Sequence, residues 1–312
     1  MKAKIVTLPG DGIGPEVTAA AVEVLRVIAA RYSHELNFEE HPIGGAAIDL
    51  YSDPLPPPTL IACRNADAVL LGAVGGPRWS DPKSKTRPEQ GLLALRAGLG
   101  VYANLRPVSV HPRLAALSPL KNEKLAGVDI LFVRELTGGA YFGAKTRTPT
   151  QATDETKYTV SEIERVARRA FALARSRRGH VTSVDKANVL ETSRLWRETV
   201  TRIAGEFSDV SLEHQLVDSM AMLLLTRPSA YDVVVTENLF GDIVTDLAAI
   251  IRDGLGIAAS GNTNPEGVSI FQPTMWGRRH PAQPAFARPI YSRRRAVEKT
   301  RLPPPARAYL AR

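Results

Sequence analysis

Along its first 255 residues the chain alternates short apolar runs with stretches whose apolar residues recur every three to four positions. Residues 4–8 read as a buried strand, and Pro9-Gly10-Asp11-Gly12-Ile13-Gly14 as a tight turn. Pro15 then suits the first turn of a helix, where a missing N–H breaks no helical bond. In that helix Val17, Ala21, Val24, Leu25 and Ile28 form one apolar stripe. Further strands are expected at 68–71, 101–110, 128–133, 180–184, 210–216 and 232–236, and helices near 160–178, 191–206, 217–226 and 240–252. Turn-forming clusters lie at 52–58 and 75–88. The alternation predicts an α/β protein with a largely parallel sheet.

Composition narrows this picture. With 312 residues, 44% hydrophobic and 23% charged, the chain can bury a large core under a soluble surface, as one very large domain or two ordinary ones. No apolar run reaches the roughly 18 residues of a membrane span, and no long apolar signal core precedes Pro9-Gly10. A single cysteine, Cys63, excludes an internal disulfide framework, and a cytoplasmic location is expected. Net charge is +8, but residues 274–312 carry nine Arg and one Lys against Glu298, so the preceding 273 residues sum to −1. That last stretch, with six prolines and no periodicity, is expected to be an irregular, disordered basic tail. A basic arm attracted to nucleic acid or anionic lipid is the other reading. It lacks interleaved aromatic platforms, so neither a nucleic-acid nor a membrane partner is expected.

Several residues stand where chemistry is usually placed. Asp242 and Asp246 lie four positions apart after an apolar strand and share one face of the helix that opens there. Such a pair either holds a hard divalent cation or complements the helix dipole. Asp218, at another strand-to-helix junction, is either a third oxygen ligand or an N-cap. Lys186, just past a strand, is a surface lysine or a general base beside a cation. Arg96, Arg106 and Arg134 offer guanidinium forks to an anion, or ordinary ion pairs. Tyr141 donates a proton or packs. The Gly10-x-Gly12-x-Gly14 spacing is not the dinucleotide fingerprint, which excludes a Rossmann assignment on that ground. Cys63 reads as a small buried hydrophobe.

Taken in order, Leu8-Pro9-Gly10-Asp11-Gly12-Ile13-Gly14-Pro15-Glu16-Val17, Gly72-Ala73-Val74-Gly75-Gly76-Pro77, Arg87-Pro88-Glu89-Gln90-Gly91-Leu92-Leu93, Ala103-Asn104-Leu105-Arg106-Pro107, Val133-Arg134-Glu135-Leu136-Thr137-Gly138-Gly139, Ser183-Val184-Asp185-Lys186-Ala187-Asn188 and the 238–246 run resemble the β-decarboxylating dehydrogenases. The resemblance runs in register over about residues 1–273 and is nearest the isopropylmalate-oxidising branch.

It implies an isopropylmalate-dehydrogenase-like two-domain fold. Residues 1–107 with 253–273 would bind the cofactor, 108–252 the substrate and a second copy of the chain, and an arm near 143–160 would clasp that copy. It implies oxidative decarboxylation of (2R,3S)-3-isopropylmalate to 4-methyl-2-oxopentanoate, with NAD as oxidant, in leucine biosynthesis. Tartrate or malate, homoisocitrate and isocitrate are the alternative substrates. Mg²⁺ or Mn²⁺ would be held by Asp218, Asp242 and Asp246, and the malate carboxylates by Arg96, Arg106 and Arg134. Lys186 would take the hydroxyl proton and Tyr141 would help protonate the enol. Glu89, Leu92 and Leu93 would meet the isopropyl group and the nicotinamide. Gly75, Gly76, Pro77, Glu89 and Asn188 would line the cofactor. Lys186 and Asp218 would reach in from the partner of a homodimer with shared sites.

After Phe271-Gln272-Pro273 the pattern departs. The family continues with a His-Gly-Ser-Ala-Pro-Asp-like loop around adenosine; here Thr274-Met275-Trp276-Gly277-Arg278-Arg279 follows. Arg/Pro/Ala-rich text is what a GC-rich gene yields when read out of frame, so a frameshift is expected. Weak NAD binding is expected with it, leaving a catalytically impaired, dimerising remnant as the reading of another class.

Overall fold

A computed structural model of the chain describes residues 1–79, 81, 84–251 and 258–273. Parts of the 75–88 turn, residues 252–257 and the whole 274–312 tail lie outside them, and with them the expectations placed there.

The chain opens with β1 (Lys2–Gly10), α1 (Gly14–Arg31), β2 (Glu35–Glu40), α2 (Gly45–Tyr51), α3 (Pro57–Arg64), β3 (Ala68–Ala73), α4 (Pro88–Gly98) and β4 (Ala103–Ser109). It continues through α5 (Asn122–Leu125), β5 (Asp129–Glu135), β6 (Lys145–Arg147), β7 (Ala152–Asp154), α6 (Val160–Arg175), β8 (His180–Asp185) and α7 (Glu191–Ala204). Then follow β9 (Ser211–Leu216), α8 (Val217–Thr226), β10 (Val233–Thr236), α9 (Asn238–Ile251), β11 (Ala259–Thr263) and β12 (Ser269–Pro273).

Among the described residues ten strands form one sheet in the order β2-β1-β3-β12-β11-β4-β5-β10-β8-β9. The pairings on either flank are parallel, whereas β12–β11, β11–β4 and β4–β5 are antiparallel. The outer strands of the two halves therefore run in opposite directions. In the second half the two-residue strand period sorts side chains onto opposite faces. Val133, Val181, Val233 and Val235 pack under α6 and α7, while Ile130, Phe132, Val184 and Val234 pack under α8 and α9. Burial on both faces explains why these strands read as continuous apolar runs. In the first half Val6, Leu8, Val69, Leu71 and Ile270 share a core with Cys63 of α3 and Leu95 of α4. Cys63 is fully buried, and burial, with a smaller push from Glu39, raises its thiol to about 12.

Local chemistry sets the element ends. Thr159 and Glu162 close a reciprocal capping box at the start of α6, whose Ile163, Val166, Ala167, Ala170, Phe171 and Ala174 face the core. The stripe expected for α1 is displaced: Thr18 and Ala29 are buried, whereas Val24 is 58% exposed. The turn that leads into the helix packs closely on β3: Gly10 has φ +69° and a Cβ there would lie 2.1 Å from the Ala73 carbonyl oxygen. Gly10→Ala combines a left-handed penalty with backbone overlap, so a loss of about 2–5 kcal/mol is expected in urea melts.

Candidate active site

The parallel strands β5, β10, β8 and β9 bring Arg134, Glu237-Asn238, Lys186 and Asp218 to their carboxyl ends, where α/β sheets gather ligands. Antiparallel β4 adds Asn104 opposite Arg134 and Arg106 opposite Phe132.

The centre is a cluster of guanidinium groups around two carboxylates. Arg134, 1% exposed, donates from Nη1 to Asp242 Oδ1. Arg106 donates from Nη1 to Asp246 Oδ1 at 3.0 Å and to Thr245 Oγ1 at 2.6 Å, and its Nη2 stands 3.5 Å from Asp242 Oδ1. Tyr141 donates its hydroxyl to Asp242 Oδ2, and its ring lies 5.3 Å from the Arg134 guanidinium carbon. Arg96, 6% exposed, keeps a buried Nε with no hydrogen-bond partner among the described residues. Burial, then the neighbouring charges of Arg134 and Arg106, lower Arg96 to about 9. A buried guanidinium under such repulsion calls for an anion.

Burial works against ionising Asp242, but Arg134, Tyr141 and Arg106 outweigh it and hold the carboxyl below its ordinary range. Asp246 goes the other way: burial leads, Arg106 opposes it, the like charge of Asp242 adds to it, and the net shift is upward. Burial and then the Asp242 hydrogen bond keep the proton on Tyr141. The two aspartates sit one turn apart on α9 with side chains about one-third exposed. Two hard oxygen donors at mutual charge cost fit a divalent cation as part of its ligand set.

Asp218 is not with them. It accepts from Lys186 Nζ at 2.7 Å, and this hydrogen bond is the main cause that lowers its carboxyl. Among the described residues no group of three acidic, His or Cys side chains is placed to hold a metal within one chain. Lys186 and exposed Asn188 share the turn after β8, and Asp185 anchors it by accepting from Ala187 N at 2.9 Å and from Nε and Nη2 of Arg197.

At the end of β3, Gly75 has φ +96°, and a Cβ there would lie 2.8 Å from Glu89 Oε1. Its N–H bonds Asp11 Oδ2 at 2.7 Å. Asp11 also accepts from Gly45 N and Ala46 N, tying three loops together. Gly76 backs onto the Trp79 ring, and Pro77 opens the short turn that carries it. Helix α4 spans from exposed Glu89, through half-buried Leu92 and Leu93, to Arg96, a rise of roughly 10 Å. It thus links the glycine loop to the arginine cluster.

Sequence reasoning assigned no role to Asn104, Glu135, Tyr158, Glu237 or Asn238. Glu237 caps α9 through Phe240 N at 2.5 Å and accepts from Tyr158 OH at 3.1 Å. Asn238 N donates to that same tyrosine oxygen at 2.9 Å. Burial raises both Glu135 and Glu237. For Glu135, Glu237 and Asn238 the signal was a polar residue at the end of an apolar strand, which by itself does not separate a site from a cap. A distinct open cleft of about 410 Å³ out to its mouth is lined by Tyr158, Asp185, Leu190, Trp196, Glu237 and Leu239, among others, and by none of the three arginines.

The family model described as isocitrate/isopropylmalate dehydrogenase matches residues 4–277. The chain belongs to the isocitrate/isopropylmalate dehydrogenase family. Relatives in this family include a 3-isopropylmalate dehydrogenase of Anaeromyxobacter dehalogenans, 55% identical over 88% of this chain and 79% of that one. Another, from Bacillus subtilis, is 53% identical over 88% and 76%. Among solved structures, isocitrate dehydrogenase from Methylococcus capsulatus superposes with a TM-score of 0.76 at 32% identity, covering 88% of this chain and 78% of its own. The TT0538 protein from Thermus thermophilus gives 0.78 at 30% identity, and there the chain spans 53% of its length. Membership of this dehydrogenase family accounts for the α/β sheet and for the ordered motifs.

Proposed function

We propose that the chain is a β-decarboxylating dehydrogenase that oxidises (2R,3S)-3-isopropylmalate with NAD, giving 4-methyl-2-oxopentanoate and CO₂ in leucine biosynthesis, in the cytoplasm. The observation that carries this is the buried Arg96–Arg106–Arg134 cluster beside Asp242 and Asp246. Those guanidiniums bind the two malate carboxylates and fix the hydroxyl-bearing carbon. Asp242 and Asp246, with Asp218 of a second copy, would hold Mg²⁺ or Mn²⁺. The bound ion supplies charge stabilisation for the enolate, and NAD⁺ supplies the hydride acceptor.

Lys186 of the second copy takes the hydroxyl proton. Tyr141, kept protonated by burial and by Asp242, helps return a proton after CO₂ departs. Gly75, Gly76, Pro77, Glu89 and Asn188 are assigned to the cofactor. Residues 1–107 with 253–273 are assigned as its domain, and 108–252 as the substrate and dimer domain. Leu92 and Leu93 offer an apolar wall that would leave the extra carboxylate of isocitrate unpaired.

A homodimer is supported by Leu239, Ile243 and Ile250, exposed along one face of α9, by exposed Met222 on α8, and by the fully exposed β6–β7 ribbon inside the proposed arm. Mg²⁺-dependent NADH formation at millimolar NAD is the test. Isopropylmalate is expected to exceed isocitrate, homoisocitrate and tartrate by about 100-fold in kcat/KM. A faster rate with any of those overturns the substrate assignment. Metal-dependent substrate binding without turnover assigns the impaired-remnant reading.

A further inference from the structure

Two of the three clustered arginines are held from behind by buried asparagines. Asn238 Oδ1 accepts from both Nε (3.0 Å) and Nη2 (2.8 Å) of Arg134, while its Nδ2 donates to the Gly138 carbonyl at 3.1 Å. Asn104 Oδ1 accepts from Arg106 Nε at 2.9 Å, while its Nδ2 donates to Ser260 Oγ at 2.7 Å and to Asn262 Oδ1 at 2.9 Å. Both amides are fully buried or nearly so, at 0% for Asn104 and 1% for Asn238. The β4–β5 register sets Asn104 opposite Arg134, so the two pairs interlock. Nη1 of Arg134 and both Nη groups of Arg106 are left to turn to the Asp242–Asp246 side.

The choice of an amide has a physical consequence. A carboxylate in the same place would orient a guanidinium equally well but would cancel its charge. An amide oxygen accepts the same N–H groups and leaves the positive charge intact. We infer that Asn104 and Asn238 are positioning residues: uncharged acceptors that hold Arg106 by its Nε and Arg134 by its Nε–Nη2 edge, adding no negative charge from behind, so that the remaining N–H groups meet the substrate carboxylates. The inference rests on the proposed reading of the arginine site. It extends that reading to residues that act through the arginines.

The test is calorimetric titration of the full chain with isopropylmalate in Mn²⁺, which needs no turnover, together with thermal melts. Asn238→Ala and Asn104→Ala are each expected to weaken substrate binding about tenfold while the protein stays folded. Arg134→Lys and Arg106→Lys weaken it more. In the Arg134→Lys background, Asn238→Ala is expected to add less than twofold, because its effect passes through the lost fork. If the asparagine variants fold and bind as the parent does while the arginine variants fail, the inference is overturned. Full additivity in the double variant overturns it as well. If the parent and Arg134→Lys bind alike, the arginine site itself is misassigned. Should Asn238→Ala fail to fold, Asn104→Ser with Arg106→Lys runs the same cycle.

Discussion

Asp242→Asn is expected to remove the metal-dependent part of isopropylmalate binding, a loss of at least about 100-fold in Mn²⁺. Asp242 is where four side chains meet. It accepts from Arg134 and Tyr141, stands 3.5 Å from Arg106 Nη2, and shares an α9 face with Asp246. An amide keeps the shape and one acceptor oxygen but is a poor ligand for a hard cation, which prefers carboxylate oxygen. The same substitution relieves Arg134 and Arg106 of an internal anion that competes with the substrate. Without metal, the variant should therefore bind the dianion as well as the parent or better. Opposite signs with and without Mn²⁺ separate a metal ligand from a residue that merely folds the site. Undiminished enhancement by Mn²⁺ in the folded variant would remove Asp242 from the metal site.

Strands whose apolar runs are long and buried on both faces, such as β5, β8 and β10, were legible because burial leaves a continuous hydrophobic signature. Edge strand β2, Glu-Leu-Asn-Phe-Glu-Glu, was not, since its outward positions are charged and its pairing is one-sided. Nor was β11, whose Ala-Ser-Gly-Asn-Thr has no strand character and pairs because it completes the middle of the sheet between β12 and β4. The antiparallel centre was invisible for that reason. Val24 was read into the buried face of α1 because it fits the period, whereas burial falls on Thr18 and Ala29 where the helix meets β1 and β3. Within the site, each arginine or aspartate read alone carried a structural alternative. Their ordered motifs, not their individual spacing, made them a set. The asparagines behind Arg106 and Arg134 lay inside two of those motifs, yet their role depends on strand register, which no local pattern encodes.

Mixing two inactive variants is expected to restore about one quarter of the metal-dependent substrate sites. Asp242 stands on α9, which follows β10, whereas Asp218 stands on α8, which follows β9 on the far side of β8. Among the described residues no three acidic, His or Cys side chains of one chain are placed to hold a metal, so Asp218 does not complete a ligand set with Asp242 and Asp246 of its own chain. It pairs instead with Lys186, and under the proposed dimer both residues enter the site of a second copy. In a symmetric dimer each site takes Asp242 from one chain and Asp218 from the other. Asp242→Asn and Asp218→Asn homodimers then have two defective sites each. Random exchange makes half of all dimers mixed, and each mixed dimer has one site with both lesions and one with neither. Calorimetry in Mn²⁺ should accordingly read about 0.25 isopropylmalate per chain after mixing, against none for either variant by itself. A mixture that stays at zero, with subunit exchange verified by mass, would mean that Lys186 and Asp218 serve no partner's site and that the ion, if bound, is held by Asp242 and Asp246 without them.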